Sequence, residues 1–295
     1  MRRPHPPLRE GRVTGTLVAS DLDRTLIYSA AAAPSGGLVA DPDGPGTDGL
    51  VAVERYRDRD VSFMTRPAAA ALAELARAQV VVPVTTRTPA QLARVRLPGP
   101  PPRYAVAANG GVLLVDGVPD PAWDRRVARE VAAVAPLAAA LAELTDLCRP
   151  EWAGQPRVAA DLFCYVVVDR PAVPAGAVER LTAWAQAGGW SVSLQGRKVY
   201  LVPQPLRKSA AALEVAHRIG ADVVLAAGDS LLDVDLLAAA DRGVHPGHGE
   251  IAASGWSAPW VEALTSTGAA AGAEIVAWFA AHTEGVAPRA RTATG

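Results

Sequence analysis

Near its start the chain reads Leu17-Val-Ala-Ser-Asp21-Leu-Asp23-Arg-Thr25-Leu-Ile27, an apolar run that ends in two aspartates and a threonine. The apolar run predicts a buried β-strand that ends at Ser20. Asp21 and Asp23 would then lie in the loop at the mouth of this strand. Such a pair is weak evidence of a site by itself, because two acids in a turn are usually just solvated.

A second acidic stretch of the same design lies far along the chain. Residues 224–233 read Val-Leu-Ala-Ala-Gly-Asp-Ser-Leu-Leu-Asp, an apolar run that leads into Asp229 and Asp233. Near-continuous apolar runs such as 80–84 and 222–227 are typical of strands in parallel sheets that helices cover on both faces. In these sheets the ligand crevice lies beyond the carboxyl ends of the strands. We therefore expect both acidic stretches to meet there.

Carboxylates gathered at one edge of a sheet would repel one another and would be poorly solvated. A divalent cation relieves both effects, and a site with only oxygen ligands favours magnesium. We therefore expect Mg²⁺ as the cofactor.

The chain resembles the haloacid dehalogenase-like hydrolase superfamily, whose four short motifs can be matched one at a time. The first is Asp21-Leu-Asp23-Arg-Thr25, the pattern of its phosphatase branch. The second, a threonine that ends a strand, falls at Val82-Pro-Val-Thr85-Thr86-Arg87, with Thr85 as the better-aligned residue and Thr86 as the alternative. The turn Asn109-Gly110-Gly111 is similar to the turn that leads into the cap of Cof-type and sugar-phosphate phosphatases.

The third motif is a lysine and the fourth is the second acidic stretch. Lys208 is one of only two lysines among the 29 basic residues, and a compact ammonium is not interchangeable with a guanidinium at a site. The fourth motif is Gly228-Asp229-Ser230-Leu-Leu-Asp233, in which Leu232 stands where the family commonly has asparagine. This departure removes a hydrogen-bonding side chain but no charge.

The resemblance implies the roles of these residues. Asp21 would attack phosphorus and form an aspartyl-phosphate, and Asp23 would act as general acid and then as general base. The other implied residues are Thr85, Lys208 and Leu22 for phosphate binding, Asp21, Asp23 and Asp229 for the metal, and Asp233, Ser230 and Gly228 in support.

The pattern along the chain divides it into a core and an insert. We expect an α/β fold, a Rossmann-like doubly wound parallel sheet core from residues 13–111 and 203–285, with an inserted α+β cap domain at 112–202. Within the cap we expect a helix over about 124–148, a strand over 157–168, a helix over 174–188 and a hairpin centred on Gln195-Gly196. Disordered ends are expected at 1–12 and 286–295, and a flap or loop at the Ala/Gly/Pro-rich tract 29–49.

Composition excludes several classes of partner. The net charge of −1 argues against a nucleic-acid surface, which needs a basic excess. No apolar run is long enough to cross a bilayer, and the start of the chain lacks a hydrophobic stretch of signal-peptide type. We therefore expect a cytoplasmic protein without a membrane partner.

The resulting prediction is a magnesium-dependent phosphatase that acts on a small phosphorylated metabolite such as a sugar phosphate. Arg157, Arg197 and Lys198 of the cap are the candidates for substrate contacts. Two alternatives stay open: a phosphomutase on the same fold, and a catalytically inactive binding protein.

Overall fold

The computed structural model of the chain describes residues 15–33, 49–283 and 285–289. The strands are β1 (Gly15–Ser20), β2 (Leu50–Tyr56), β3 (Arg59–Thr65), β4 (Val80–Pro83), β5 (Tyr104–Ala107), β6 (Val112–Val115), β7 (Val118–Pro119), β8 (Arg157–Ala159), β9 (Phe163–Val167), β10 (Trp190–Gln195), β11 (Lys198–Pro203), β12 (Ala221–Ala227), β13 (Arg242–His245) and β14 (Val261–Ala263). The helices are α1 (Arg66–Ala78), α2 (Pro89–Leu92), α3 (Pro121–Val131), α4 (Leu137–Leu147), α5 (Ala177–Gly188), α6 (Lys208–Ile219), α7 (Val234–Ala239), α8 (Gly249–Ser254) and α9 (Gly268–His282).

The central sheet has five parallel strands in the order β14-β13-β12-β1-β4. A single parallel bridge between Val84 and Val106 joins the chain after β4 to β5. Since all five strands point the same way, the loops that follow β1, β4 and β12 leave from one edge of the sheet. These loops carry Asp21, Asp23, Thr85 and Asp229.

Helices cover both faces of this sheet. Leu17 and Ala19 of β1 pack in one apolar cluster with α6 and α7, whereas Val18 packs in a second cluster with α1 and α9. Successive side chains of a strand point to opposite faces, so β1 is buried on both. The predicted doubly wound α/β fold is confirmed.

A second sheet is antiparallel, with the order β10-β11-β9-β8. Helix α4 packs against β9, and α5 packs against β10. This combination of helices with an antiparallel sheet is compatible with the expected α+β cap.

Two predicted cap elements are each divided in the structure. The helix expected over 124–148 is two helices, because α3 ends at Val131 and α4 begins only at Leu137. Pro136 between them lacks an amide hydrogen and disfavours a helical residue before it. The strand expected over 157–168 is the hairpin β8–β9, with Ala160 and Asp161 in the left-handed region at φ +52° and +55°.

The antiparallel hairpin β2–β3 and the three-stranded antiparallel sheet β5–β6–β7 were not predicted from the sequence. The arm predicted at 1–12, most of the 29–49 tract and the last residues of the 286–295 tail lie outside the described residues. In the part of the chain that is described, no helix combines the length and apolar character needed to cross a membrane.

Candidate active site

Asp21, Lys208 and Asp233 form a buried ion triad. The Lys208 ammonium donates to Asp21 Oδ1 at 2.6 Å and to Asp233 Oδ1 at 2.5 Å. The three side chains are at most 8% exposed. Because an unpaired buried charge costs several kcal/mol, each member of this triad needs the others.

The loop after β1 holds Asp21 and Leu22, the first two residues of the first motif. The Asp21 amide donates to the Ala227 carbonyl at 2.9 Å, which extends the pairing of β1 with β12 by one residue. Leu22 is fully buried, and its carbonyl accepts from the amides of Leu26 and Ile27, both at 2.9 Å. These bonds close a tight turn, so Asp21 is fixed by its backbone as well as by its ion pair.

Lys208 is positioned by the turn after β5. It is the first residue of α6, and Asn109 Nδ2 donates to the Leu206 carbonyl at 2.9 Å just before it. Gly110 has a φ of +92°, and a Cβ at this position would overlap the Arg207 carbonyl. The predicted Asn-Gly turn therefore packs directly against the segment that delivers the lysine.

Gly228 and Ser230 position Asp233. Asp233 Oδ2 accepts from the Ser230 amide at 2.9 Å and from its hydroxyl at 2.7 Å, while Oδ1 accepts from Lys208. A Cβ at Gly228 would overlap the Asp233 side chain. Both Asp233 oxygens accept hydrogen bonds, and Oδ1 orients Lys208.

Asp229 completes an acidic cluster that fits a divalent cation. Asp21, Asp229 and Asp233 each offer a carboxylate oxygen, and these oxygens lie within 4.8 Å of one another. All three residues are buried, and Gly249 packs so closely that a Cβ there would come within 2.7 Å of Asp229 Oδ2. A compact donor set made only of oxygens suits magnesium.

The pKa shifts within the acidic cluster also favour a bound cation. Burial and the Asp233 carboxylate raise the pKa of Asp21 to about 7, although Lys208 opposes this. Burial and Asp21 raise the pKa of Asp229 well above its usual range. Burial would lower the pKa of Lys208, but Asp21 and Asp233 raise it. The lysine is therefore charged, and a cation among the acids would favour their ionised forms.

Asp23 faces the other way, toward Arg87. The side chain of Asp23 is 50% exposed, and Arg87 binds both of its oxygens at 2.7 Å. Arg87 also pairs with the buried carboxylate of Glu54 on β2 at 2.8 Å. The spacing of Asp21 and Asp23 thus separates a buried acid from an exposed one.

The two threonines of the second motif differ in exposure. Thr85 is fully buried, its amide donates to the Val106 carbonyl at 2.9 Å, and its hydroxyl accepts from the Arg87 amide at 3.1 Å. Thr86 lines the adjoining cavity.

A cavity of about 570 Å³ opens over Asp21 and Asp23. Its walls come from the loops at the edge of the central sheet, from the hairpin β2–β3 and from the antiparallel sheet β8–β11. The walls on the side of the antiparallel sheet include the predicted Arg197 and Lys198 together with Tyr165 and Tyr200. The Lys198 ammonium lies 5.5 Å from the centre of the Tyr165 ring and 6.0 Å from that of Tyr200. Arg157 lies on β8, opposite Tyr165 of β9. It is exposed and is not among the residues that line this cavity.

Sequence reasoning missed Arg87, Glu54 and the two tyrosines. Arg87 is the last residue of the stretch quoted for the second motif, so its position was available as a signal. Glu54 sits in an arginine-rich stretch whose default interpretation is a solvated surface, yet only 3% of its side chain is exposed. Its role depends on the folding of β2 and β3 against the site.

No protein-family model and no curated protein sequence matches the chain. Solved structures do match in fold. The sucrose-phosphatase of Synechocystis sp. PCC6803, solved with sucrose and phosphate, is 18% identical with a TM-score of 0.62, and the match covers 91% of this chain and 99% of that one. A Thermoplasma acidophilum protein is 15% identical with a TM-score of 0.55, covering 90% of this chain and 99% of that one.

A haloacid dehalogenase-like hydrolase from B. subtilis gives a similar match. It is 15% identical with a TM-score of 0.52, covering 90% of this chain and 99% of the other. At identities this low, these TM-scores show a shared fold and nothing more. The matches cover nine-tenths of this chain, so they extend over both the central sheet and the antiparallel sheet. The chain has the fold of the haloacid dehalogenase-like hydrolases.

Proposed function

We propose that the protein is a magnesium-dependent phosphatase that hydrolyses a small phosphorylated metabolite, of the sugar-phosphate class, through an aspartyl-phosphate. The observation that carries this proposal is the buried cluster of Asp21, Asp229 and Asp233 around Lys208, at the floor of a cavity. Residues 13–111 and 203–285 would form the core, and 112–202 the cap that closes over the substrate.

The chemistry would run in two steps. In the first, Asp21 attacks phosphorus, the bond from phosphorus to the leaving-group oxygen breaks, and Asp23 gives that oxygen a proton. In the second, Asp23 takes a proton from water as the water oxygen attacks phosphorus and the bond to Asp21 breaks. Inorganic phosphate leaves, and both aspartates return to their starting state.

The remaining residues would bind and orient. Lys208, a threonine of the pair Thr85 and Thr86, and the backbone at Leu22 would hold the phosphoryl oxygens. The Asp21 and Asp229 side chains and the Asp23 carbonyl would hold magnesium. Bound there, the ion offsets the negative charge of the acids and of the phosphoryl group.

The size and walls of the cavity support a small polar substrate. Arg197 and Lys198 would meet polar or anionic groups of the leaving group, while Tyr165 and Tyr200 offer ring faces. A sugar phosphate combines both requirements. The sucrose and phosphate bound to the Synechocystis phosphatase, which has a similar fold, support the same class.

A panel of phosphometabolites, assayed with magnesium and with EDTA, tests the proposal. We expect phosphate release only with magnesium, and its loss in Asp21→Asn, whose amide cannot attack phosphorus. Asp146→Asn, a change at an exposed aspartate of α4, is the matched control and should keep wild-type activity. Wild-type turnover by Asp21→Asn would contradict the mechanism.

Isotope-labelled water separates hydrolysis from the mutase alternative. Hydrolysis places the label in inorganic phosphate, whereas a phosphomutase returns the phosphoryl group to substrate without it. Inactivity of the wild-type protein toward the whole panel would favour a binding protein instead.

A further inference from the structure

A row of ion pairs connects Asp23 to the hairpin β2–β3. Asp23 Oδ2 accepts from Arg87 Nε, and Oδ1 accepts from its terminal nitrogen Nη2, both at 2.7 Å. This fork geometry fixes the plane of the carboxylate, which a single contact would not do. It matters here because half of the Asp23 side chain is exposed.

Arg87 is itself held at four points. Its amide donates to the Thr85 hydroxyl at 3.1 Å, and its carbonyl accepts from the Ala108 amide at 2.7 Å. Beyond its contacts to Asp23, the guanidinium pairs with Glu54 through its other terminal nitrogen, at 2.8 Å. Only 14% of the Arg87 side chain is exposed.

Glu54 is the buried end of the row. Its side chain is 3% exposed, Ser62 Oγ donates to Oε2 at 2.6 Å, and Arg94 Nε donates to Oε1 at 3.1 Å. The exposed fraction of the side chain therefore rises along the row, from 3% at Glu54 through 14% at Arg87 to 50% at Asp23.

We propose that Arg87 is a positioning residue that holds the Asp23 carboxyl group in the orientation for proton transfer, and that Glu54 fixes Arg87 for this task. The inference rests on the proposed phosphatase function and adds two residues to its site. The fork occupies one lone pair on each Asp23 oxygen, and the second lone pair of the oxygen nearer the leaving group carries the transferred proton. That oxygen gives its proton to the departing alkoxide and later takes one from the attacking water.

A purely structural ion pair predicts something different. A partly exposed pair contributes little to stability, and its loss would change the turnover of all substrates alike. Loss of proton delivery instead lowers kcat/KM by an amount that depends on the leaving group. An alkoxide needs the proton, whereas p-nitrophenolate leaves readily without it.

The test compares kcat/KM for an alkyl phosphate and for p-nitrophenyl phosphate in Arg87→Gln, Arg87→Lys and Glu54→Gln. In Arg87→Gln we expect a loss of about 100-fold on the alkyl phosphate and under about 10-fold on p-nitrophenyl phosphate, within the range of general acid catalysis. Arg87→Lys and Glu54→Gln should change the ratio in the same direction but less. Arg94→Gln is the control, since Arg94 also binds Glu54 but does not contact Asp23.

The outcomes separate this inference from the proposed function. Equal losses on both substrates in Arg87→Gln and Arg87→Lys, or an equal change of ratio in Arg94→Gln, would overturn the inference while the wild-type enzyme stays active. If Arg87→Gln does not fold, Arg87→Lys decides, because it keeps the charge beside Glu54 and loses only the fork. A wild-type protein inactive on every phosphoester would remove the proposed function and this inference with it.

Discussion

At the scale of single residues, the two lysines of the chain have opposite surroundings. Lys208 is 1% exposed between two carboxylates, whereas Lys198 is exposed and lies beside two tyrosine rings. The resemblance to the haloacid dehalogenase-like hydrolases pointed to Lys208 before any geometry was known, and the rarity of lysine in an arginine-rich chain supported that choice. In the structure one compact ammonium donates to both Asp21 and Asp233.

Replacing Lys208 by Met should strongly destabilise the protein. It leaves Asp21 and Asp233 buried without their cation, so we expect the free energy of unfolding at pH 8 to fall by about 3 kcal/mol or more. The loss should be smaller at pH 6.5, because Lys208 holds the pKa of Asp21 down and its removal lets Asp21 take up a proton more readily. Urea denaturation at both pH values measures this.

The matched control is Lys198→Met. An exposed substitution of this kind should change the free energy of unfolding by under about 0.5 kcal/mol. Similar losses from both lysine variants would show that the buried triad is not the source of the effect.

At the scale of elements, the turn after β5 connects the central sheet to α6. Gly110 in that turn has a φ of +92° and lies against the Arg207 carbonyl, one residue before Lys208. The Asn-Gly pair was visible as a turn, but the partner it packs against is almost a hundred positions away.

Gly110→Ala should therefore lower the free energy of unfolding by more than the strain of its backbone conformation alone. Gly117→Ala is the matched control, since Gly117 has a φ of +80° with nothing within 4 Å of the added Cβ. We expect the control to lose about 1–2 kcal/mol in the free energy of unfolding, from left-handed strain alone. Gly110→Ala should lose clearly more, and should also lose activity as Lys208 moves. Equal effects on stability and activity would refute this role of the turn.

Two elements that the sequence predicts as continuous, the helix over 124–148 and the strand over 157–168, are each divided in the structure. The apolar spacing continues from α3 to α4 across Pro136, and it continues from β8 to β9 across Ala160 and Asp161. A pattern of polarity does not report the left-handed backbone in the three-residue turn that connects β8 with β9.

At the scale of the whole molecule, the acidic cluster links stability to pH and to magnesium. The pKa of Asp21 is raised from 3.8 to about 7, so between these values the folded chain binds more protons than the unfolded chain. The free energy of unfolding of the metal-free protein should then fall as pH rises through this window, and Asp229 acts in the same direction. His248, whose pKa is lowered, acts oppositely below about 6.5, its ordinary value.

Thermal unfolding in EDTA should accordingly give a lower Tm at pH 8 than at pH 6.5. Magnesium should raise the Tm, and more so at pH 8, because it binds the ionised cluster. Asp21→Asn should flatten the dependence on pH. A metal-free Tm that rises with pH, with the same slope in Asp21→Asn, would contradict this assignment.

The amino-acid sequence by itself determined the parallel α/β core and the acids at the ends of β1 and β12. These features follow from local rules, namely apolar runs, residue spacing and composition. Only the tertiary structure decided that Lys208 lies between Asp21 and Asp233, and that Arg87 and Glu54 stand behind Asp23. The physical reason is that these contacts join segments up to 187 positions apart, so their distances depend on how strands and helices pack and not on any local pattern.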